Sequence, residues 1–296
     1  MVFSSSVCTT LLVLYGTEMA VILALNFLTI LVFVKNRFLR KPGMYLVINL
    51  AVADMLVGAF PVSCTYIDLG KTCNIWKGHC SIGQGFEVLH MLWNMFLIAS
   101  LTNLAMISIE RAHATCRPFE HRVITQRVYG TVIAVSWLLA SSIATSLQVI
   151  SQTRRDLYFY VWNSFNAICL FVICVSYVSI AVKICCGVRP QHHDRAVSRE
   201  KKLTKTLFIV TLVSLLLWLP FTICSFLFFS THIITSLSPL AIKLLNYACM
   251  FLYYANSFAN SILYATRMPN FRRAAILLCR RNRQRQVVPF FSPREL

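Results

Sequence analysis

Asp54 lies inside an unbroken apolar run, NLAVADMLV, where a carboxylate must shed its charge, find a cation or gather hydrogen-bond donors. Asn26 has the same setting in an earlier run, as do Asn94, Ser100 and Asn103 in a third and Asn246, Asn256 and Asn260 in the last. In hydrocarbon such amides and hydroxyls tie helices together at ~1 kcal/mol per bond, which is the role expected of Asn26. Asp54 demands more, because a hydrogen bond alone does not discharge a buried carboxylate. Nothing in the chain assembles a nucleophile, a base and a metal set, so no enzyme is expected. The pair His192-His193 has no further ligands beside it.

These side chains need helices to hold them. Of 296 residues, 57% are hydrophobic and 13% charged, and the mean hydropathy is +0.67. A soluble domain could not hide that much apolar surface. The twelve cysteines are mostly embedded in apolar runs, where a thiol packs as a small hydrophobe. Seven stretches, at 9–35, 43–68, 82–114, 126–149, 157–186, 202–230 and 238–265, have the length a helix needs to cross a bilayer. They are continuous rather than alternating, which argues against a β-barrel. The fold class expected is an all-α integral membrane protein, a seven-transmembrane helix bundle.

The formal charge of +18 would suggest nucleic acid in a soluble chain. Its distribution points to a membrane instead. Lys35 to Lys41, Arg111 to Arg127, Lys183 to Lys205 and the arginine-rich tail fall on one side of seven spans, against Lys71, Lys77, Arg154, Arg155 and Lys243 on the other. The positive-inside rule puts the tail in the cytoplasm and the N-terminus outside, with anionic inner-leaflet lipid as the partner of the basic face. The first run has no basic leader and continues into Lys35–Lys41, so it reads as a span rather than a signal peptide.

The ordered motifs add a resemblance that covers nearly the whole chain. Asn26, LAVAD ending at Asp54, Glu110-Arg111-Ala112, Trp137, Trp218-Leu219-Pro220 and Asn256-Ser257-x-x-Asn260-Ser261-x-x-Tyr264 follow one another on the appropriate spans. Pro118 lies seven residues after Arg111, and Phe271 stands just beyond the last span. This sequence resembles the rhodopsin-like (class A) G protein-coupled receptors. The resemblance implies a short outer segment (1–8), a seven-transmembrane domain (9–265), and an amphipathic helix with a basic tail (266–296), in the plasma membrane. It implies a small extracellular ligand, a heterotrimeric G protein and arrestin as partners, and no nucleic acid.

It also assigns roles. Arg111 pairs with Glu110, and with Glu200 at the inner end of helix six, until that helix swings outward. Such an interfacial pair is worth on the order of 1 kcal/mol. Trp218 with Pro220 forms a kinked reporter of ligand contact. Tyr177 and Tyr264 approach Arg111 in an active state. Asp54, Ser100, Asn256 and Asn260 correspond to the oxygen cluster around a hydrated sodium ion. Cys279, beside a polybasic stretch, is a candidate palmitoylation site.

The sequence departs from the pattern in places. Ser261 replaces a usual proline, Ser214 a usual phenylalanine, and Phe96 offers no polar group one turn before Ser100. Span five has no proline. Phe86 occupies the cysteine position of the usual disulfide, and the loop after span four has no cysteine to receive it. Cys73 and Cys80, with Trp76 between them, leave a local bridge open. The short second loop and proline-free span five resemble the melanocortin, adenosine, cannabinoid and lysophospholipid branch.

His90, Trp93, Asn94, Leu97, Trp162, Phe221, Ser225, Met250 and Tyr254, with Thr65, Phe165 and Thr222, make an aromatic outer cavity of the kind that takes small ligands. Trp93 stands where an amine receptor would carry an aspartate, which argues against a monoamine. Tyr254 stands where a retinal pigment would carry its lysine, so no retinal is expected. Lipid, nucleoside and short peptide remain open, with Asp68, Glu87 and Asp156 near the mouth. The alternatives are a receptor-like protein that no longer signals, given Ser214 and Ser261, and a transporter. Glu110, Arg111, Glu200 and Tyr264 oppose the first, and the lack of an internal repeat opposes the second.

Overall fold

Ser4 starts the first helix. Its hydroxyl accepts from the Val7 amide at 3.4 Å, and the helix runs over Ser5–Lys35. It therefore begins four residues ahead of the expected boundary at residue 9, and Cys8 belongs to its first turns. The computed structural model describes residues 3–36, 43–75, 83–186, 209, 212–227, 238–267 and 271–278. Glu200, Cys80, Cys279 and the His192-His193 pair lie outside the described residues.

Helix two spans Met44–Thr72, with one π-helical turn at Gly58–Val62. Pro61 lies in that turn. Proline lacks an amide hydrogen and crowds the preceding turn, and the wider π turn accommodates it. One inserted residue rotates everything beyond it by about 100°, which sets the direction of Thr65 and Asp68. Helix three covers Gly83–Cys116 and is followed by a short helix, Pro118–Val123, with proline at its first position. Helix four is Gln126–Thr153 and helix five Arg155–Cys186, so Arg154 alone separates them. Helix six is described over Leu212–Leu227 and helix seven is Pro239–Arg267. A last helix occupies 271–278.

Helices one to five are each long and apolar enough to cross a bilayer. The distribution of side chains is that of a protein dissolved in lipid. Leu138, Ile168, Phe171 and Val178 are exposed, while Asp54, Asn103 and Ser108 are fully buried. Polar groups inside and apolar groups outside is the arrangement that hydrocarbon selects. The inner polar groups bind the helices to one another. Trp137 donates to Asn49 Oδ1 at 2.9 Å, and the Asn49 amide in turn donates to Asn103, joining helices two, three and four. Asn26 donates to the Ser257 carbonyl at 2.9 Å, and Ser261 donates to Asn26 Oδ1 at 3.0 Å, joining helices one and seven. The serine at 261 thus supplies a bond that proline could not, and helix seven runs through it without interruption.

Cys73 is bonded to Cys8. The local Cys73–Cys80 bridge left open by the sequence is thereby excluded. The bond instead pins the start of helix one to the end of helix two, 65 residues apart in sequence. Spacing could not show this, since the two cysteines lie 65 residues apart and meet only when helices one and two pack side by side.

Candidate functional site

Three polar centres lie along the bundle, between the end that carries Arg111 and the end that carries the disulfide. At the first, Arg111 Nε lies 2.7 Å from Glu110 Oε2, and both side chains are only 8% exposed. The pair is thus more deeply buried than the interfacial one expected from the sequence. Tyr129 of helix four donates to Glu110 Oε1 at 3.2 Å, and His121 Nε2 stands 3.4 Å from the same oxygen. Gly43, just ahead of helix two, closes the site from the other side. A Cβ there would come within 2.6 Å of the Arg111 guanidinium, so the pair fits only against a bare backbone.

The second centre surrounds Asp54. Ser100 donates to its Oδ1 at 2.6 Å and Asn260 to its Oδ2 at 3.1 Å. The side-chain oxygens of Asn256 and Asn260 are buried without a hydrogen-bond partner among the described residues. Phe96 fills the neighbouring space with an aromatic contact to Phe60, the ring centroids 5.1 Å apart. Tyr264, between this cluster and the first, is within electrostatic reach of Asp54, Tyr177 and Arg111. Its buried hydroxyl has no hydrogen-bond partner among the described residues. Trp218 is buried and stacks on Tyr253 with centroids 5.7 Å apart. Pro220 follows it inside helix six, and the Cys249 thiol contacts that of Cys224 at 3.2 Å across helices six and seven.

The third centre holds most of the expected pocket residues, divided into separate groups. His90 Nδ1 bonds Gln148 Oε1 at 2.7 Å, and Tyr158 donates to Asn94 Oδ1 at 3.0 Å, tying helix three to helices four and five. Trp93 donates to the Tyr254 hydroxyl at 3.2 Å, and Tyr254 in turn contacts Thr65 at 3.0 Å, linking helices three, seven and two. Ser225 donates to Asn163 Oδ1 at 3.0 Å. Leu97 and Trp162 are buried, and Phe221 and Met250 are half-buried against the core. A cleft of about 390 Å³ opens between helices five and six, and Thr222 is the one expected pocket residue that lines it.

Sequence reasoning missed Glu18, Gln148, Tyr158 and Tyr247. Glu18 carried the clearest signal, a carboxylate inside an apolar span, and it was the same signal that singled out Asp54.

The family model described as 7 transmembrane receptor (rhodopsin family) matches residues 25–264, from Leu25 beside Asn26 to Tyr264. The chain belongs to that family. It is a G protein-coupled receptor and not an enzyme. It is 27% identical over 272 residues to trace amine-associated receptor 5 of Rattus norvegicus, covering 83% of this chain and 77% of the relative. Neuropeptide FF receptor 1 of the same species is 27% identical over 290 residues, covering 84% and 65%. Dopamine receptor 2 of Drosophila melanogaster is 34% identical over 135 residues, covering 44% and 24%.

In this receptor Gly43 limits where the Glu110–Arg111 pair can sit. The atoms a Cβ would strike are the far ends of flexible side chains, so Gly43→Ala should displace the pair rather than unfold the bundle. The expected result is a basal nucleotide-exchange rate raised about two- to tenfold, corresponding to a bias of ~0.4–1.4 kcal/mol. Unchanged basal exchange at equal surface level would remove Gly43 from the switch.

Proposed function

We propose that the receptor faces outward with its disulfide end, binds a small ligand there among helices two, three, five, six and seven, and activates a heterotrimeric G protein at its Arg111 end by outward movement of helix six. The orientation draws support from two independent features. Basic residues gather toward the Arg111 end and the tail, and the Cys8–Cys73 bond is of a kind that persists on the oxidising side. Arrestin would use the same inner face. Glu200 would be the second partner of Arg111, and Cys279, beside the polybasic stretch in sequence, a lipid attachment site.

The observation that carries the mechanism is Tyr264. Its hydroxyl is buried and unsatisfied between Asp54 and Arg111, while Arg111 is held by Glu110. An unpaired buried hydroxyl is unfavourable by about 1–3 kcal/mol, so the closed arrangement stores a bias toward one in which Arg111 and Tyr264 find each other. A ligand that moves Trp218 through Tyr253 would act on that balance. In lipid nanodiscs with purified heterotrimers, the receptor should accelerate GTPγS uptake over empty discs; no acceleration with any Gα class, with or without ligand, would overturn the coupling.

Sodium fits the middle centre. Asp54 Oδ2, Ser100 Oγ and the unsatisfied oxygens of Asn256 and Asn260 would supply the oxygen ligands that a hard cation takes. A sodium ion there would neutralise Asp54 and hold helices two, three and seven together. Sodium chloride is therefore expected to raise the melting temperature of the purified receptor by a few degrees over potassium chloride, and Asp54→Asn to remove that difference. A sodium effect that survives in Asp54→Asn would place the ion elsewhere.

The relatives' names cover amines and a neuropeptide and do not by themselves choose a ligand. Trp93 in place of an aspartate disfavours an amine held from helix three.

A further inference from the structure

Glu18 of helix one is 3% exposed, and neither carboxylate oxygen has a hydrogen-bond partner among the described residues. The site for it can be built outward. Met19, the next residue, touches Ser63 of helix two through its sulfur at 3.1 Å. Tyr15, almost one turn earlier, packs edge-on against Tyr254 and Phe251 of helix seven, with centroids 6.5 and 5.9 Å away. Both Tyr15 and Tyr254 are within electrostatic reach of the Glu18 carboxylate. The acid therefore lies among helices one, two and seven, next to the Trp93–Tyr254–Thr65 group of the ligand site.

The neighbouring donors are already committed. Tyr15 donates to the Tyr247 carbonyl at 2.7 Å, and Tyr247 donates to Asp68 at 2.9 Å. Thr65 donates to the Pro61 carbonyl at 3.0 Å, so it must accept at its contact with Tyr254, which leaves the Tyr254 proton directed to Thr65. The Tyr254 oxygen receives the indole N–H of Trp93. No ion pair reaches Glu18 among the described residues. A carboxyl group whose neighbouring hydroxyls all point elsewhere has no complement among the described residues, and a ligand can supply one.

We propose that Glu18 is the anion that receives the ammonium group of a ligand whose body is aromatic. The ammonium would donate to the Glu18 oxygens, and the rings of Tyr15, Phe251 and Tyr254 would receive the aromatic part and add cation–π attraction. The missing aspartate of helix three then speaks to where an amine binds and not to whether one binds. The assignment rests on the small-ligand reading above and narrows it to organic cations.

The test uses the purified full-length receptor in nanodiscs, with 2-phenylethylamine as probe and neutral 2-phenylethanol as its control. The amine is expected to raise the melting temperature in a saturable manner and the alcohol to leave it unchanged. In Glu18→Gln the amine's apparent affinity should fall roughly thirtyfold or more. The amide replaces a buried carboxyl group that has no partner among the described residues, so Glu18→Gln without ligand should melt no lower than the wild type. A phenylalanyl dipeptide amide as a further probe separates a free amine from a peptide N-terminus; tighter binding of either retains the ammonium site. Absence of stabilisation by both ammonium probes, equal stabilisation by the alcohol, undiminished affinity in Glu18→Gln, or an unfolded Glu18→Gln would each overturn the assignment, the last by revealing an internal partner. Melting shifts do not involve G protein, so amine binding without nucleotide exchange would fault the coupling and leave this site standing.

Discussion

Arg111→Ala is expected to abolish stimulated nucleotide exchange while the receptor continues to reach the cell surface. The two halves of that result have different physical origins. Removing one member of a buried ion pair usually costs about 3–5 kcal/mol, because the other charge is stranded. Glu110 would not be stranded, since Tyr129 donates to it and His121 stands 3.4 Å away. The stability loss should therefore be nearer ~1 kcal/mol, a shift of a few degrees in melting temperature. Signalling has no such reserve. Arg111 is a cation within reach of Tyr264, and neither Tyr129 nor His121 carries the planar guanidinium lost with it. Arg111→Lys keeps the charge without the fork and should retain only a minor fraction of the exchange rate. Surface labelling alongside GTPγS uptake measures both halves, and normal exchange in Arg111→Ala would sink the role proposed for it.

How much of this was legible in the sequence depended on whether the information was local. Asp54, Asn26 and Asn260 were legible because an amide or acid at bilayer depth has so few tolerable environments. Their partners follow from helices that the hydropathy pattern already draws. Glu18 was equally legible by that rule, being an acid in the same apolar run as Asn26. The burial of the Glu110–Arg111 pair was not legible. It depends on Gly43 meeting the pair across a loop and on Tyr129 arriving from helix four, and neither contact leaves a local pattern. The division of the expected pocket residues among separate bonded groups depends on Gln148 and Tyr158, ordinary polar residues in their own spans. The π turn at Pro61 was also hidden, since proline in a span signals a disturbance but not its form. That turn sets the direction of Thr65, and through it the one that the Tyr254 proton takes.

Loss of the Cys8–Cys73 bond is expected to loosen the start of helix one and, on the proposed function, to weaken ligand binding before it affects the Arg111 end. A bond closing 65 residues would contribute about 4 kcal/mol if the reduced chain were a free coil. It is not one here, because helices one and two remain inserted and restrict the ends that the bond joins. Roughly 2 kcal/mol is the better expectation, at the lower end of the usual range. Cys8→Ser, Cys73→Ser and the double variant should then melt alike within a few tenths of a kcal/mol, since each removes the same bond. Phe3 and Tyr15 both pack against Tyr247, with centroids 6.2 and 6.3 Å away, and Tyr247 holds Asp68. Freeing the start of helix one disturbs that group first, and Glu18 lies ten residues along the same helix, about 15 Å from Cys8. A membrane-impermeant reductant applied to intact cells should reproduce the Cys8→Ser melting shift in the wild type and add nothing in the variant. Protection of the wild type from that reductant, with sensitivity appearing only after the cells are opened, would turn the proposed orientation around.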